Sequence, residues 1–191
     1  MSIPVITISR EYGSGGRAIG EKLAKELGIP FYNKELILMA AKESGLSEEY
    51  IKKAEQQKST SFLYGLYMGA QQLPMNDQIF LIQSKIIREI AEKGPCVIVG
   101  RCADYILQDK ADCLRVFIHA DMKFRARRIV EEYGEREASP EQRLREKDKR
   151  RAAYHRFYTD MKWGHAQNYD LTLNSGTLGI DRCADIIRGL F

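Results

Sequence analysis

The residues best suited to chemistry form a glycine-rich stretch near the start of the chain, Arg-Glu-Tyr-Gly-Ser-Gly-Gly-Arg at 10–17. Glycine allows backbone conformations with positive φ, so that backbone N–H groups can approach an anion closely. The arginines at both ends supply guanidinium groups, which bind phosphate through paired hydrogen bonds. The stretch therefore predicts recognition of a phosphate chain. The alternative is a plain tight turn, for which a single glycine would suffice.

The stretch departs from the phosphate-binding pattern G-x-x-x-x-G-K-[ST] at its charged positions. With Gly15 aligned on the second glycine, Arg10 replaces the first glycine, Gly16 the lysine, and Arg17 the serine or threonine. The backbone groups are retained and the lysine is lost. We expect Arg17 to contact the β- or γ-phosphate in place of the lysine, with Arg10 as a second candidate. The predicted contact residues are Arg10, Gly13, Ser14, Gly15, Gly16 and Arg17.

The elements on either side predict where this stretch lies. Val5 to Ser9 is a run rich in β-branched residues with little polar alternation, typical of a strand covered on both faces. Beyond the glycines, apolar residues recur at helical spacing up to Leu27, and Gly28 is suited to end the helix. The glycines are thus predicted to connect a strand to the positive end of a helix dipole, which attracts anions.

The rest of the chain alternates between predicted strands and helices. Strands are expected near residues 96–100, 114–119 and 170–173, and helices at 77–93, 121–134, 140–159 and beyond 181. Two more helices are expected after Asn33 and Ser47. Strands joined by helices imply right-handed crossovers and a parallel sheet with helices on both faces, an α/β three-layer sandwich. Such folds bind ligands beyond the carboxyl ends of their strands.

Length and composition indicate one folded domain over residues 1–191. Hydrophobic residues make up 44% and charged residues 29% of the chain, close to the average of globular proteins. The net charge of +4 is too small for a general binder of nucleic acid or of a membrane surface. We therefore expect neither as a partner. The sequence leaves the oligomeric state open.

Targeting and metal-binding patterns are not found in the sequence. The N-terminus has no basic segment or cleavage motif, and no apolar run approaches the ~20 residues of a membrane span. The three histidines share no ligand spacing, and no cysteine belongs to a C-x-x-C pair. The cysteines are Cys96, Cys102, Cys113 and Cys183. We expect a cytoplasmic protein with free thiols and no metal-ligand cluster.

Several stretches, in a fixed order, carry a resemblance to a known family. They read ITISREYGSGGR at 6–17, LGIPFYNKEL at 27–36, VIVGR at 97–101, DCLRVFIHA at 112–120, RARR at 125–128 and NYDLTLN at 168–174. The sequence resembles the cytidylate kinase-like proteins, relatives of bacterial cytidylate kinase among the nucleoside monophosphate kinases. The resemblance covers essentially the whole chain.

The resemblance implies a P-loop fold with five parallel strands, a helical insertion that binds the monophosphate, and an arginine-rich lid that closes over ATP. Residues 13–17 would hold the donor phosphates, with Mg²⁺ accompanying ATP. The residues implied for the acceptor are Tyr32, Lys34, Arg101 and Asp104, with the stretch 59–80. Cytidylate kinases carry Gly-Arg-Asp where this chain has Gly-Arg-Cys at 100–102, so that Asp104 is the nearest carboxylate.

The lid implied by this resemblance falls in a basic segment at about residues 123–160. Between Lys123 and Arg156 the chain has 12 Lys and Arg against 7 Asp and Glu, a larger excess than the +4 of the whole chain. Phosphoryl transfer uses few cations, so we expect roughly two to four of the basic side chains to contact phosphate. The candidates are Arg128, Arg150 and Arg151. We also expect Asp148 to orient Arg151 and Asp121 to cap a helix.

Two other interpretations of the basic segment stay open. It is either an exposed helix with solvated ion pairs, which describes most of its residues, or a nucleic-acid groove with stacking aromatic side chains. Those aromatics are Tyr154, Phe157, Tyr158 and Trp163. The leading functional hypothesis is an ATP-dependent kinase of a nucleoside monophosphate, CMP or dCMP. The alternatives are a kinase of another small molecule and a nucleotide-binding regulator that has lost catalysis.

Overall fold

A parallel sheet at the centre of the computed structural model positions the glycine-rich stretch. The structure describes residues 5–33, 36, 39, 42–43, 45, 75–134 and 139–191. Contacts divide the chain into two compact units, one of Met1–Tyr32 with Gly94–Phe191 and the other of Asn33–Lys93. The glycine-rich stretch and the basic segment both belong to the first unit.

The sheet has five strands in the order β2-β3-β1-β4-β5, and each neighbouring pair is parallel. The strands are β1 Val5–Arg10, β2 Phe31–Tyr32, β3 Val97–Val99, β4 Cys113–His119 and β5 Leu171–Asn174. Ile8 of β1 lies opposite Val99 of β3 on one side and Val116 of β4 on the other. Because β1 is central and all strands are parallel, the residues that follow β1, β3 and β4 lie close together at the carboxyl ends of the strands.

The described helices connect these strands. They are α1 Gly16–Leu27, α2 Met75–Lys93, α3 Ala103–Ile106, α4 Met122–Glu131, α5 Pro140–Thr159, α6 Ser175–Leu178 and α7 Ile180–Arg188, with a 3₁₀ helix at Ala166–Asn168. Helix α1 ends as predicted, because Gly28 adopts a left-handed conformation and its N–H donates to the carbonyl of Ala24. Side chains of Asp121 and Ser139 accept hydrogen bonds at the starts of α4 and α5.

The hydrophobic core of the first unit fixes the end of β1. Ile6 and Ile8 of β1 are fully buried, and they pack in one cluster with Ile19 and Leu23 of α1 and Ile187 of α7. Each such side chain contributes about 1.5–3 kcal/mol through removal from water. Since both flanking elements are anchored in this core, the loop between β1 and α1 is held in place from both ends.

The α/β three-layer prediction with a parallel five-stranded sheet is confirmed. The predicted helix at 140–159 has the observed bounds, and the other predicted strands and helices differ from the structure by a few residues. Strand β2 and the short helices α3 and α6 were not predicted. The helices expected after Asn33 and Ser47 fall largely outside the described residues. The predicted lid segment comprises α4 and α5.

The second unit is represented chiefly by α2. Its buried residues Ile79, Ile86, Ile87 and Ile90 recur at helical spacing and form one apolar face of the helix. Lys85 on the exposed side forms an ion pair with Glu43. Across the described part of the chain, no helix combines the length and apolar character that a membrane crossing requires.

Candidate phosphate-binding site

The loop between β1 and α1 has the backbone of an anion site. Gly13 and Gly15 have φ of 79° and 80°, and Gly15 immediately precedes the first helical residue. Neither a capping side chain nor an acidic residue neutralises the first turn of α1, in contrast to the capped starts of α4 and α5. The first N–H groups of a helix have no partner within the helix and carry partial positive charge. The loop can therefore receive phosphate oxygens.

Tight packing explains why two of these positions are glycine. A Cβ atom on Gly15 would lie 2.2 Å from Cδ1 of Ile180, and one on Gly13 would lie 3.0 Å from the carbonyl oxygen of Arg125. Positive φ adds a conformational penalty for any other residue. Neighbouring elements thus enclose the loop and leave no space for side chains at these two positions.

The Ser14 side chain holds the loop rather than extending from it. Ser14 is fully buried, and its Oγ lies 2.9 Å from the carbonyl oxygen of Glu11 and 3.2 Å from that of Ile118 in β4. The hydroxyl of Ser175 donates to the carbonyl oxygen of Ser14 at 2.6 Å. These contacts tie the loop to the ends of β4 and β5.

Three arginines converge at the carboxyl ends of β1 and β3. The guanidinium of Arg10 lies against Gly100, where a Cβ would be 2.3 Å from Nη1 of Arg10. Arg151 of α5 donates from Nη1 to the carbonyl oxygen of Arg10 at 2.9 Å. Burial first, then the positive charges of Arg151 and Arg101, lower the pKa of Arg10 well below its usual value. Burial also lowers the pKa of Arg151.

Arg101 follows β3 in an unusual backbone conformation. Arg101 and Cys102 have φ of 59° and 53°, directly after Gly100 with φ of 84°. Non-glycine residues in this region are strained, and such strain concentrates at functional sites. The turn places Arg101 at the carboxyl end of β3, next to the end of β1 where Arg10 lies.

Arg128 of α4 covers the loop from another side. Its Nε would lie 3.3 Å from a Cβ placed on Gly15. This Nε is buried, and within the described part of the chain no hydrogen-bond acceptor satisfies it. An anion in the loop would supply such an acceptor. The structure therefore brings Arg128 and Arg151, from two helices of the basic segment, to the glycine-rich loop.

Two candidate arginines lie elsewhere. Arg17 is exposed and its Nε contacts Glu21 at 2.8 Å, one turn along α1. Arg150 is exposed on α5. The Arg17 side chain thus lies on the exposed surface of α1, and its backbone N–H belongs to the first turn of that helix.

The residues implied for the acceptor separate into different surroundings. Tyr32 is the last residue of β2. Burial raises the pKa of Tyr32, and the nearby Cys96 raises it further. Lys34 and most of the stretch 59–80 lie outside the described residues. Asp104 is 4% exposed, and its two oxygens lie 3.1 Å from Ser9 Oγ and 2.9 Å from His155 Nε2. This carboxylate links β1 to α5 in the interior.

A buried charged group that sequence reasoning missed joins the loop to the basic segment. Asp148 accepts from the N–H of Tyr12 at 2.7 Å and from Nη1 of Arg125 at 2.5 Å. Arg125 Nε lies 3.4 Å from Glu11, whose carboxylate accepts from the N–H of Ala120 at 3.1 Å. The hydrogen bonds of Asp148 are thus made to the loop and α4, whereas its expected partner Arg151 donates to Arg10. The i, i+3 spacing of Asp148 and Arg151 within α5 does not indicate that Asp148 contacts the loop and α4.

The described residues include no group of three or more His, Cys, Asp and Glu side chains that could hold a metal ion. Two carboxylates at the loop, Glu11 and Asp148, are already bonded to Arg125 and backbone N–H groups. The side chains that the structure describes therefore do not fit a protein-held magnesium ion. Magnesium commonly binds to substrate phosphates and water with few protein ligands, so it would enter with the nucleotide as part of the substrate.

Two kinds of comparison with known proteins give matches, one with a family model and the other with solved structures. The model of the cytidylate kinase-like family matches residues 5–177. The crystal structure of an uncharacterized protein from Eubacterium ventriosum is 31% identical, with a TM-score of 0.74 and coverage of 98% of this chain and 97% of that one. No curated protein matches the sequence.

More distant solved structures share the fold. A shikimate kinase from Acinetobacter baumannii in complex with shikimate is 15% identical with a TM-score of 0.54, covering 98% of this chain and 92% of its own. A gluconokinase from Sinorhizobium meliloti is 15% identical with a TM-score of 0.51, covering 100% and 99%. The fold is therefore the α/β fold of P-loop kinases.

Proposed function

Because the chain belongs to the cytidylate kinase-like family, we propose that it is an ATP-dependent phosphotransferase whose acceptor is a nucleoside monophosphate, CMP or dCMP. The observation that carries the proposal is the loop itself. Gly13 and Gly15 expose the uncapped start of α1, and arginines from β1, α4 and α5 surround it. Such a site suits a chain of phosphates better than a single small anion, because its cations approach from three elements.

The proposed reaction is an in-line transfer of the γ-phosphoryl group. An oxygen of the acceptor's phosphate forms a bond to the γ-phosphorus, and the bond from that phosphorus to the oxygen bridging β and γ breaks. The products are ADP and a nucleoside diphosphate. The protein forms no covalent intermediate and contributes positioning and charge stabilisation. Arg128, Arg151 and Arg10 are the side chains proposed to neutralise charge on the transferring group.

The surroundings of Asp104 bear on the identity of the acceptor. Asp104, the nearest carboxylate to the Gly-Arg-Cys turn, is buried between Ser9 and His155. Its carboxylate would therefore not contact a cytosine base bound at the carboxyl ends of the strands. This observation favours, as the second candidate, a kinase that acts on another small molecule. In either case Arg101 would bind an anionic group of the acceptor.

Acceptor-dependent formation of ADP tests the proposal. Purified protein with MgATP is assayed against CMP, dCMP, UMP, AMP, shikimate and gluconate, with an acceptor-free reaction as control. We expect ADP release to depend on CMP or dCMP. Release with only a non-nucleotide acceptor would support the second candidate. A folded protein that is stabilised by MgATP but consumes no acceptor would indicate a nucleotide-binding regulator, and a protein that does neither would contradict the proposed function.

A further inference from the structure

We propose that Arg10 is a catalytic residue and supplies the cation that the glycine-rich loop lacks at Gly16. In the standard pattern a glycine ends the strand and a lysine begins the helix. Here an arginine ends β1 and a glycine begins α1. We infer that the two positions have exchanged roles within one site. This inference rests on the proposed function, because it assigns the cation that contacts the transferring phosphoryl group.

The packing around Gly16 provides the first argument. A Cβ atom on Gly16 would lie 2.6 Å from Cβ and 2.9 Å from Cγ of Arg10. Gly16 does not have a positive φ, so the backbone conformation does not require glycine there. Glycine is also unfavourable in a helix. The aliphatic part of the Arg10 side chain is therefore the reason that position 16 carries no side chain.

The position of the guanidinium provides the second argument. Nη1 and Cζ of Arg10 lie 2.3 and 3.2 Å from the place of a Cβ on Gly100. The side chain thus runs from the start of α1 to the end of β3, and both ends of its path are lined by a glycine. There the charges of Arg101 and Arg151 act on it. A lysine at position 16 would extend its ammonium group from α1, whereas Arg10 extends its guanidinium group from β1.

The charge balance provides the third argument. Among the described residues, no carboxylate forms an ion pair with Arg10, and the neighbouring carboxylates are bonded to other groups. Asp104 contacts Ser9 and His155, and Asp148 contacts Tyr12 and Arg125. Two neighbouring arginines, Arg151 and Arg101, repel the Arg10 guanidinium, and the carboxylate of Asp104 offsets part of this repulsion. A phosphoryl group bound beside these arginines would stabilise them further.

The steric part of the exchange is tested by thermal unfolding without ligand. Gly16→Ala is expected to lower the Tm while Arg10 is present, because its Cβ collides with the arginine. The same substitution in the Arg10→Gly background is expected to be neutral or to raise the Tm, since the collision is gone and alanine is the better helix residue. Additive effects of the two substitutions would overturn the steric part.

The catalytic part is tested by comparing Arg10→Met with Arg127→Met, which removes an arginine that is 67% exposed on α4. Arg10→Met retains the aliphatic chain. We expect its ligand-free Tm to equal or exceed that of the parent, its MgATP-induced rise in Tm to shrink, and its kcat to fall about 100-fold or more. Arg127→Met should match the parent. Arg10→Lys should recover part of kcat, because the positive charge is restored.

The decisive variant restores the standard pattern. Arg10→Gly alone should lose the MgATP response, Gly16→Lys alone should be less stable than the parent, and the double variant should recover both stability and response. If the parent responds to MgATP and Arg10→Met responds equally, the inference is wrong and the proposed function stands. If the parent neither responds to MgATP nor transfers phosphate, the proposed function fails, and the catalytic role of Arg10 fails with it.

Discussion

The buried group around Arg125 makes a strong prediction about stability. The Arg125 side chain is 6% exposed and lies between the carboxylates of Asp148 and Glu11, at 2.5 and 3.4 Å. Arg125→Ala removes the cation and leaves two carboxylates that are themselves 17% and 26% exposed. The nearby Arg127 is 67% exposed and reaches Glu131 at only 4.0 Å. Arg127→Ala is therefore a matched control on the same helix.

The magnitude follows from the partners that remain. Loss of one member of a buried ion pair costs about 3–5 kcal/mol of stability. Asp148 keeps the N–H of Tyr12, and Glu11 keeps that of Ala120. The lower end applies because of these backbone donors, so we expect Arg125→Ala to lower the free energy of unfolding by about 3 kcal/mol. For a chain of this length that corresponds to a fall in Tm of about 6–12 °C.

Urea and thermal unfolding of the two variants and the parent provide the assay. Arg127→Ala should stay within about 0.5 kcal/mol of the parent, as exposed substitutions usually do. The double variant Arg125→Ala/Asp148→Ala should be less destabilised than the sum of the single variants, because the two residues interact directly. Equal free energies of unfolding for Arg125→Ala and Arg127→Ala would refute the conclusion that Arg125, with Asp148 and Glu11, links the loop to the basic segment.

Three further predictions concern the loop, the interior and the thiols. Gly15→Ala should weaken MgATP binding and lower stability more than Gly28→Ala, because both glycines have positive φ but only Gly15 lacks room for a Cβ; calorimetric titration and unfolding measure this, and equal stability losses would contradict it. Asp104→Ala should lower the free energy of unfolding by about 3 kcal/mol, because it leaves two buried polar partners without their acceptor; an unchanged urea midpoint would contradict it. Burial raises the pKa of Cys96 to about 12 and that of Cys113 to about 11. The folded state retains these protons to a higher pH than the unfolded state, in which the thiol pKa is about 8.5, so stability should fall as the pH rises from about 8.5 to about 12. Cys96→Ala/Cys113→Ala should flatten this dependence in urea unfolding, and a slope equal to that of the parent would contradict the account.

Much of the fold could be predicted because the strands and helices carry strong patterns. The β-branched residues of β1 and the helical spacing that ends at Gly28 are local features. The two residues of β2, Phe31 and Tyr32, are too few to show any period, so their strand depends on pairing with β3. The order of helices and strands along the chain therefore predicted a parallel sheet but not its edge strand β2.

The site was predictable in location and less so in detail. The glycine pattern located the loop and favoured Arg17 over Arg10 as the replacement for the lysine. The proposed choice of Arg10 depends instead on Gly16 and Gly100, which leave space for the Arg10 side chain, whereas Arg17 binds Glu21 on the surface of its helix. Contacts between elements distant in sequence decide such questions, and one sequence does not reveal them.

We propose that the loop after β1 holds ATP while its γ-phosphoryl group is transferred. Phosphorus NMR of the folded protein with MgATP and CMP observes that group directly. We expect the γ-phosphate signal of ATP to decrease as the β-phosphate signals of two diphosphates grow, with little inorganic phosphate. An ATP spectrum unchanged with every acceptor tested, in the presence of folded protein, would contradict the account.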